Sequence, residues 1–309
     1  MNRRLSFLFS FAQKDCSRMI RRAHELVKLR DFEVAIFLDS GAFSVDTGKR
    51  FVTLDKYIHF IYDHYDLLTI FPCFDVVGDP QQTDDNLKIM KQAGLDPWPV
   101  VTFGCLPTDV QDYAEEYGRF CIAGGKKGSI KDHRAFTEMC FSVANQSKTP
   151  IKIHGFGVSR PKWMLRFPYY SVDSMSWNGS AFGQLHLWDP PNEDMMFMQR
   201  IAFPGSSKNY ARIMRLLTMY GVNPKLFLER VWGTRLNIAS VKSFVHFADF
   251  IGKSREFHFF FAQMMLHVDL LSLDGAIDYV FSQVNPENKC PEVPYGKANT
   301  REKRREFRN

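Results

Sequence analysis

Aspartates stand directly after apolar, strand-like runs at three places in the sequence, where they could act as acids, bases or nucleophiles. They are Asp39, Asp75 and Asp173. If these strands run parallel in a β/α barrel, their C-terminal ends meet at one mouth and the carboxylates converge there. Burying like charges together costs free energy unless a ligand or proton compensates, so such a cluster indicates a reactive site. A single aspartate after a strand is more often a turn residue or a helix cap, which is our interpretation of Asp79 before Pro80.

Further residues at the same predicted strand ends could bind a flat, polar ligand. Backbone N–H groups at Gly124 and Gly125 could donate to a carbonyl oxygen of a heterocycle, and Phe43 could stack on its face. The other candidate ligand-binding residues are Ser40, Gly41, His154 and Gly155. Each has an ordinary alternative, because a glycine can serve turn geometry, a phenylalanine can be a core residue and His154 can be a satisfied core histidine.

The rest of the chain supplies elements that can hold these residues together. Apolar runs of strand length alternate with amphipathic stretches seven times, which indicates a parallel β/α topology. We predict strands at Leu5–Phe11, Val34–Leu38, Leu67–Phe74, Trp98–Phe103, Phe120–Ala123, Ile151–His154 and Tyr169–Val172, and an eighth at Glu256–Phe261. The expected fold is an α/β (β/α)8 TIM-like barrel that forms a single domain over residues 1–285. A helical insertion at about 180–255 follows strand seven, and residues 286–309 form a basic, flexible tail.

The charge of the chain permits contact with nucleic acid. The formal net charge is +6 over 309 residues, and the pI is about 8.9. We predict nucleic-acid contacts at strand ends and in the tail, by Lys126, Lys127, Ser174, Trp177, Arg304 and Arg305. Basic residues of the insertion, among them Arg212 and Arg215, are a further candidate surface. The alternative is a set of solvated helix faces and an unstructured tail.

Several function classes are disfavoured by what the sequence lacks. It contains no phosphate-cradling GxxxxGK[ST] loop, no HExxH zinc helix and no GxSxG nucleophile elbow. The six cysteines form no C-x-x-C pair, and several lie in apolar runs, as expected for reduced thiols of a cytoplasmic protein. The apolar run near the N-terminus is too short to span a bilayer. We therefore expect no metal, no cofactor, no membrane association and a cytoplasmic location.

The strand-end segments resemble those of the tRNA-guanine transglycosylase superfamily. The matched segments, in family order, are LDSGAFS (38–44), FDVVGDP (74–80), PWPVVTFG (97–104), IAGGKKG (122–128), IHGFGVS (153–159) and YYSVDSMSW (169–177). The chain is most similar in style to the compact phage and bacterial members that modify DNA with 7-deazaguanines. The resemblance implies that Asp173 is the nucleophile that attacks C1′ and expels guanine, that Asp39 is the general acid/base, and that Asp75 binds the pyrimidine edge of the base. It also implies that Gly124 and Gly125 contact the base through their backbone.

The sequence also departs from this family. The tRNA enzymes hold a structural zinc through several cysteines and a histidine near the C-terminus, whereas here only Cys290 lies in that half. The glutamine that reads the base after strand four is replaced by Phe103-Gly104-Cys105. These departures favour DNA over tRNA as one substrate, with a 7-deazaguanine base as the other, in the host cytoplasm if a phage encodes the chain. The open alternatives are the same exchange on tRNA, a barrel that binds nucleic acid or another partner without catalysis, and a metal-dependent hydrolase.

Overall fold

The computed structural model describes residues 4–28, 33–46, 48, 51–124, 130–178, 184–190, 198–202, 210–224 and 234–263. Its strands are β1 (Arg4–Ser10), β2 (Glu33–Asp39), β3 (Val100–Val101), β4 (Arg119–Ile122), β5 (Lys152–Gly155), β6 (Ser171–Ser174), β7 (Gln184–Trp188), β8 (Met198–Ala202) and β9 (His258–Gln263). Its helices are α1 (Cys16–Lys28), α2 (Ala42–Asp46), α3 (Leu54–His64), α4 (Pro80–Gln92), α5 (Pro107–Tyr117), α6 (Ile130–Ala144), α7 (Pro161–Arg166), α8 (Tyr210–Met219) and α9 (Thr234–Gly252).

Seven strands form one curled, all-parallel sheet in the order β2-β1-β9-β6-β5-β4-β3. Strand β9 lies between β1 and β6, which confirms the predicted last strand at Glu256–Phe261. Helix α1 packs on β1 and β2, and α5 packs on β4. Because the strands are parallel, their C-terminal ends lie at one edge of the sheet, which we call the C-terminal edge.

The sheet is a half-barrel, and regular strand pairing does not close it as we predicted. The predicted third strand, Leu67–Phe74, makes only single parallel bridges, from Ile70 to Phe37 and from Pro72 to Trp98. Proline has no N–H to donate to a strand ladder, so continuous pairing is interrupted at Pro72. The mixed α/β architecture is compatible with a TIM-like fold but is not a closed barrel.

Helix α4 begins where its sequence predicts. Asp79 Oδ1 accepts a 3.0 Å hydrogen bond from the Gln82 N–H. Pro80 occupies the first turn, where a missing N–H removes no helical hydrogen bond. The interpretation of Asp79 as a helix cap is therefore confirmed, and Asp79 is distinct from the candidate reactive aspartates.

The insertion is not wholly helical, so that part of our prediction is wrong. Strands β7 and β8 form an antiparallel pair ahead of α8 and α9. Leu185 and Leu187 of β7 pack against Ile213 and Leu216 of α8 in a second, smaller core. Polar and apolar side chains alternate on β7, so it lacks the continuous apolar run that marked the other strands in the sequence.

Some predictions fall on residues outside the described part of the chain. They concern Gly125, Lys126 and Lys127, and the tail at 286–309 with Arg304 and Arg305. The extent of the 1–285 domain therefore stays a prediction. Among the helices that the structure describes, none is long and apolar enough to cross a membrane.

Candidate functional site

Asp39 ends β2 and lies beside Ser10, its register partner at the end of β1. The Ser10 hydroxyl hydrogen-bonds the Asp39 side chain, and the Gly41 N–H donates to Asp39 Oδ2 at 3.1 Å. Burial, together with the negative charges of Asp75 and Asp173, raises the pKa of Asp39 to about 7 from an ordinary 3.8. This carboxyl can therefore both release and accept a proton near neutral pH.

Asp75 follows the bridged segment 70–72 and faces the residue after β2. The Ser40 hydroxyl donates a 2.5 Å hydrogen bond to Asp75 Oδ1, and both side chains are buried. Burial raises the pKa of Asp75 to about 6, although the Ser40 hydrogen bond acts in the opposite direction by favouring the charged form. Ser40 therefore orients Asp75 and does not present a free hydroxyl.

The loop that carries Asp75 is anchored by helix α4. The Thr83 hydroxyl accepts a 2.9 Å hydrogen bond from the Val76 N–H, and Asn86 Nδ2 donates to Phe74 O at 2.8 Å. These bonds satisfy backbone groups on both sides of Asp75. The carboxylate therefore sits on a fixed backbone at the C-terminal edge.

Asp173 lies in β6 and is 7% exposed. The Gly157 N–H donates a 3.0 Å hydrogen bond to its Oδ1. His154 Nε2 lies 3.3 Å from the same oxygen, and His154 Nδ1 lies 2.9 Å from Ser171 Oγ. One oxygen of the Asp173 carboxylate is therefore held by groups from β5 and the loop after it.

The structure brings the candidate aspartates to the C-terminal edge of one sheet. The negative charges of Asp75 and Asp173 both raise the pKa of Asp39, as expected for carboxylates grouped at one edge of a sheet. Two of the groups, Asp39 and Asp75, have their pKa raised towards neutrality by burial. Carboxyls of this kind suit acid–base chemistry, while a carboxylate that is held in place, such as Asp173, suits nucleophilic or electrostatic work.

His154 is a buried histidine beneath the site, which fits the core-histidine alternative better than direct contact with a substrate. Its side chain has no exposed surface. The ring stacks on Phe37, with centroids 4.3 Å apart, and meets Phe156 edge-on at 4.8 Å. Burial lowers the pKa of His154, and the neighbouring Asp173 only partly offsets this effect, so burial favours the neutral form of the ring.

The candidate glycines serve different purposes. Gly41 has a φ of +85°, and a Cβ there would lie 2.7 Å from Ala12 Cβ, so both conformation and packing require glycine. At Gly155 a Cβ would lie 2.6 Å from Tyr169 Cε1. Gly155 is buried, so tight packing beneath the site explains the glycine there, and its ligand contact stays a prediction. Gly124 is exposed at the C-terminal edge, where a ligand can reach its backbone.

Two of the predicted nucleic-acid contacts are wrong. Trp177 is 1% exposed, and its indole N–H donates to Ala262 O at 2.9 Å. Ser174 is also buried, and its hydroxyl accepts a 3.0 Å hydrogen bond from the Ser176 N–H. Both side chains stabilise the turn after β6 and present no surface to a nucleic acid.

The basic residues of the insertion are engaged within it. Arg212 Nε and Arg215 Nη2 donate to the buried carboxylate of Asp189 at 2.6 and 2.7 Å. These ion pairs tie α8 to the end of β7. The first role of the two arginines is therefore to neutralise a buried charge, although Arg215 keeps 48% of its side chain exposed.

Sequence reasoning missed Ser10, Ser171 and Tyr57. Ser10 and Ser171 lie in strands and bond Asp39 and His154, and a polar residue at the end of β1 was an available sign for Ser10. Tyr57 Oη lies 3.2 Å from Leu38 O and 3.1 Å from Pro72 O, joining β2 to the bridged segment. Nothing in the pattern of α3 distinguishes Tyr57 from an ordinary core residue.

Comparisons with known proteins add no family assignment. No protein-family model matches the sequence, and no curated protein matches it either.

Phe43 lies in α2, but its side chain is outside the described part of the chain. Within the described ranges, no three His, Cys, Asp or Glu side chains form a group that could hold a metal ion.

Proposed function

We propose that this protein is a base-exchange transglycosylase of the tRNA-guanine transglycosylase superfamily, replacing guanine in DNA with a 7-deazaguanine derivative. One observation carries the proposal: Asp39, Asp75 and Asp173 share the C-terminal edge of a parallel sheet, and their charges interact. A positively charged, sugar-centred transition state would relieve that repulsion. This proposal treats the fold as a (β/α)8 barrel in which the bridged segment 70–72 is added to the seven parallel strands of the sheet.

Asp173 carries the nucleophilic step. One of its oxygens attacks C1′ of the nucleotide, the C1′–N9 bond breaks, and the bonding electron pair leaves with guanine. The hydrogen bond from the Gly157 N–H supports this role because it fixes the orientation of the carboxylate. The near-complete burial of Asp173 limits competing attack by water on the covalent intermediate.

Asp39 supplies and recovers the proton. Its pKa of about 7 lies in the range where one group serves best as both acid and base at neutral pH. Its proton goes to the departing guanine. The proton on N9 of the incoming 7-deazaguanine then returns to Asp39 as N9 attacks C1′ and displaces Asp173. Bonds and protons balance between the two bases.

Asp75 recognises the base. Its carboxylate can accept hydrogen bonds from N1–H and the exocyclic amine of guanine, with Ser40 holding its orientation. The 7-deazaguanines keep this pyrimidine edge, so one residue can hold both the leaving and the entering base. The exposed backbone at Gly124 adds a possible contact to the base from the same edge of the sheet.

DNA is the proposed acceptor. The charge of +6 favours a phosphate backbone, and only Cys290 lies in the C-terminal half, where the tRNA enzymes hold zinc through several cysteines. The target base must reach a buried Asp173, so it has to be flipped from a duplex or lie in a single strand. Single-stranded DNA is therefore the first substrate to test.

The test incubates the protein with radiolabelled 7-deazaguanine bases and either single-stranded DNA, duplex DNA or tRNA. Asp173→Asn is the informative variant because it keeps the shape of the side chain and removes the nucleophile. Asp112→Asn, at an exposed position on α5, is the matched control. We expect label in DNA, a loss of at least ~10³-fold in Asp173→Asn, and a denaturant-resistant protein–DNA adduct that this variant does not form.

Each other result has a defined meaning. Equal incorporation by Asp173→Asn and wild type removes the assigned nucleophile. Label in tRNA alone replaces DNA with tRNA as the substrate. If the protein binds nucleic acid but forms no adduct and incorporates none of the bases, the result contradicts catalysis. It then favours the alternative of a barrel that binds nucleic acid without catalysis.

A further inference from the structure

The proposed exchange leaves unused a buried chain of polar groups behind Asp173. Ser171 Oγ lies 2.9 Å from His154 Nδ1, and His154 Nε2 lies 3.3 Å from Asp173 Oδ1. Ser171 and His154 have no exposed surface. They are register partners on β5 and β6, so the backbone pairing of the sheet sets their separation. The chain is therefore built into the sheet and not into a loop.

The surroundings of the histidine in this chain are aromatic and favour a neutral ring. Phe37, Phe156 and Phe260 surround it at centroid distances of 4.3, 4.8 and 6.1 Å. Asp173 on β6 faces Nε2, Cys121 on β4 is the register partner of His154, and burial lowers the pKa of His154 more than Asp173 raises it. A neutral imidazole has one N–H donor and one bare nitrogen acceptor.

The neighbours decide which nitrogen carries the proton. Nε2 faces a carboxylate oxygen, and a bare nitrogen there would place two lone pairs against each other, so the attractive arrangement has Nε2–H. Nδ1 then accepts from the Ser171 hydroxyl. The Nε2 contact is not aligned as a hydrogen bond, and Nε2 has no other partner among the described residues. Contacts of this kind tighten when substrate occupies a site.

We propose that His154 is a positioning residue for Asp173, with its Nε2–H tautomer set by the Asp173 carboxylate and its Nδ1 accepting from Ser171. Together with the Gly157 N–H, it occupies Asp173 Oδ1 and leaves Oδ2 as the oxygen that attacks. The identity of the attacking oxygen rests on the proposed function. The tautomer and the pairing are properties of the protein itself and can be measured without substrate.

The first experiment measures the tautomer by long-range ¹H–¹⁵N NMR of the full chain with ¹⁵N-labelled histidine. His154→Gln identifies the signals of His154. We expect protonated Nε2 and bare Nδ1 at neutral pH, and a shift towards a mixture of tautomers in Asp173→Asn, whose amide can face Nε2 with either a donor or an acceptor. A ring protonated on Nδ1, or on both nitrogens, overturns the inference whether or not the protein is a transglycosylase.

The second experiment measures the rate of adduct formation on DNA in His154→Leu and His154→Gln. The Gln amide can place an N–H donor near the position of Nε2, whereas Leu cannot. We expect the rate to fall roughly 10- to 100-fold in His154→Leu, the loss typical of one hydrogen bond to a charged group, and to be largely restored in His154→Gln. Circular dichroism and urea unfolding verify folding, and Ser171→Ala, with a smaller loss, serves if His154→Leu does not fold.

The outcomes separate the two proposals. Equal loss in the folded Leu and Gln variants, or no loss in either, overturns the positioning role while leaving the transglycosylase intact. Absence of any adduct with the wild-type protein contradicts the proposed function, and the NMR measurement then decides the positioning role alone.

Discussion

The Ser40 hydroxyl donates a 2.5 Å hydrogen bond to Asp75 Oδ1, joining positions 35 residues apart in the sequence. Ser40 follows β2, and Asp75 follows the segment 70–72, whose strand pairing with β2 is one isolated bridge supported by the Tyr57 hydroxyl. The bond therefore joins the residue after β2 to the loop after the segment 70–72, at the part of the C-terminal edge where strand pairing is least regular. It also fixes the carboxylate that we propose to bind the base.

Ser40→Ala is expected to destabilise the protein in a pH-dependent way. The hydroxyl favours the charged form of Asp75, so its removal should raise the pKa of that carboxyl further above about 6. A hydrogen bond to a charged group contributes about 1.5–3 kcal/mol, so the loss should approach that size at about pH 8 and be smaller at about pH 5. Urea unfolding at both pH values measures it, and losses of equal size would argue against a charged acceptor.

Asp39→Asn is expected to stabilise the protein above neutral pH. The folded-state pKa of about 7 exceeds the ordinary 3.8, so the folded protein retains a proton that the unfolded chain releases. Through this group, stability falls as pH rises between about 4 and about 7, and the destabilisation is complete above that window. We expect Asp39→Asn to gain roughly 1–3 kcal/mol over wild type at about pH 8 and to match it near about pH 4.

Urea unfolding across this pH range checks the prediction, with Asp112→Asn on the exposed face of α5 as the control. The control should show no comparable divergence from wild type. If Asp39→Asn tracked wild type at every pH, Asp39 would not be the site of the raised pKa. Base exchange should be lost in Asp39→Asn despite its greater stability.

Tyr57→Phe tests the connection between β2 and the bridged segment. The Tyr57 hydroxyl lies within hydrogen-bond distance of Leu38 O and Pro72 O, and its removal leaves these buried carbonyls short of a donor. The ring itself is retained, so packing is unchanged. We expect a loss of about 1–3 kcal/mol in the free energy of unfolding, together with faster amide hydrogen exchange at Leu38. Unchanged exchange there would show that strand pairing suffices without the hydroxyl.

Gly155→Ala and Gly124→Ala form a matched pair at the ends of adjacent strands. A Cβ at Gly155 would lie 2.6 Å from Tyr169 Cε1 and 2.8 Å from Val158 Cγ2, so we expect a loss of about 1–3 kcal/mol. At Gly124 the nearest atom to such a Cβ is 3.5 Å away, and the φ is not positive, so stability should be nearly unchanged. Thermal unfolding of both variants decides this. Equal stability of the two variants would contradict the packing role of Gly155.

Local chemistry made parts of this protein predictable. The Asp79 cap depends on residues within one turn of α4, and apolar runs marked β1, β2 and β9 because each is long enough to show its pattern. Strand β7 was missed because the polar residues Gln184 and His186 interrupt its apolar run, and the closed barrel was overpredicted because Leu67–Phe74 has strand composition but pairs only at single bridges. Trp177 was read as a surface residue because its partner, Ala262, lies 85 positions away.

The sequence by itself determined which residues follow the strands, and therefore that Asp39 and Asp173 would stand at the same edge of any parallel sheet. Only the tertiary structure decided that Ser40 bonds Asp75, that His154 is buried against Asp173, and that Trp177 and Ser174 face inward. The physical reason is the separation along the chain between the residues that interact. Strand periodicity and helix caps arise between near neighbours in the chain, whereas burial and hydrogen-bond partners depend on how the sheet curls and brings distant segments together.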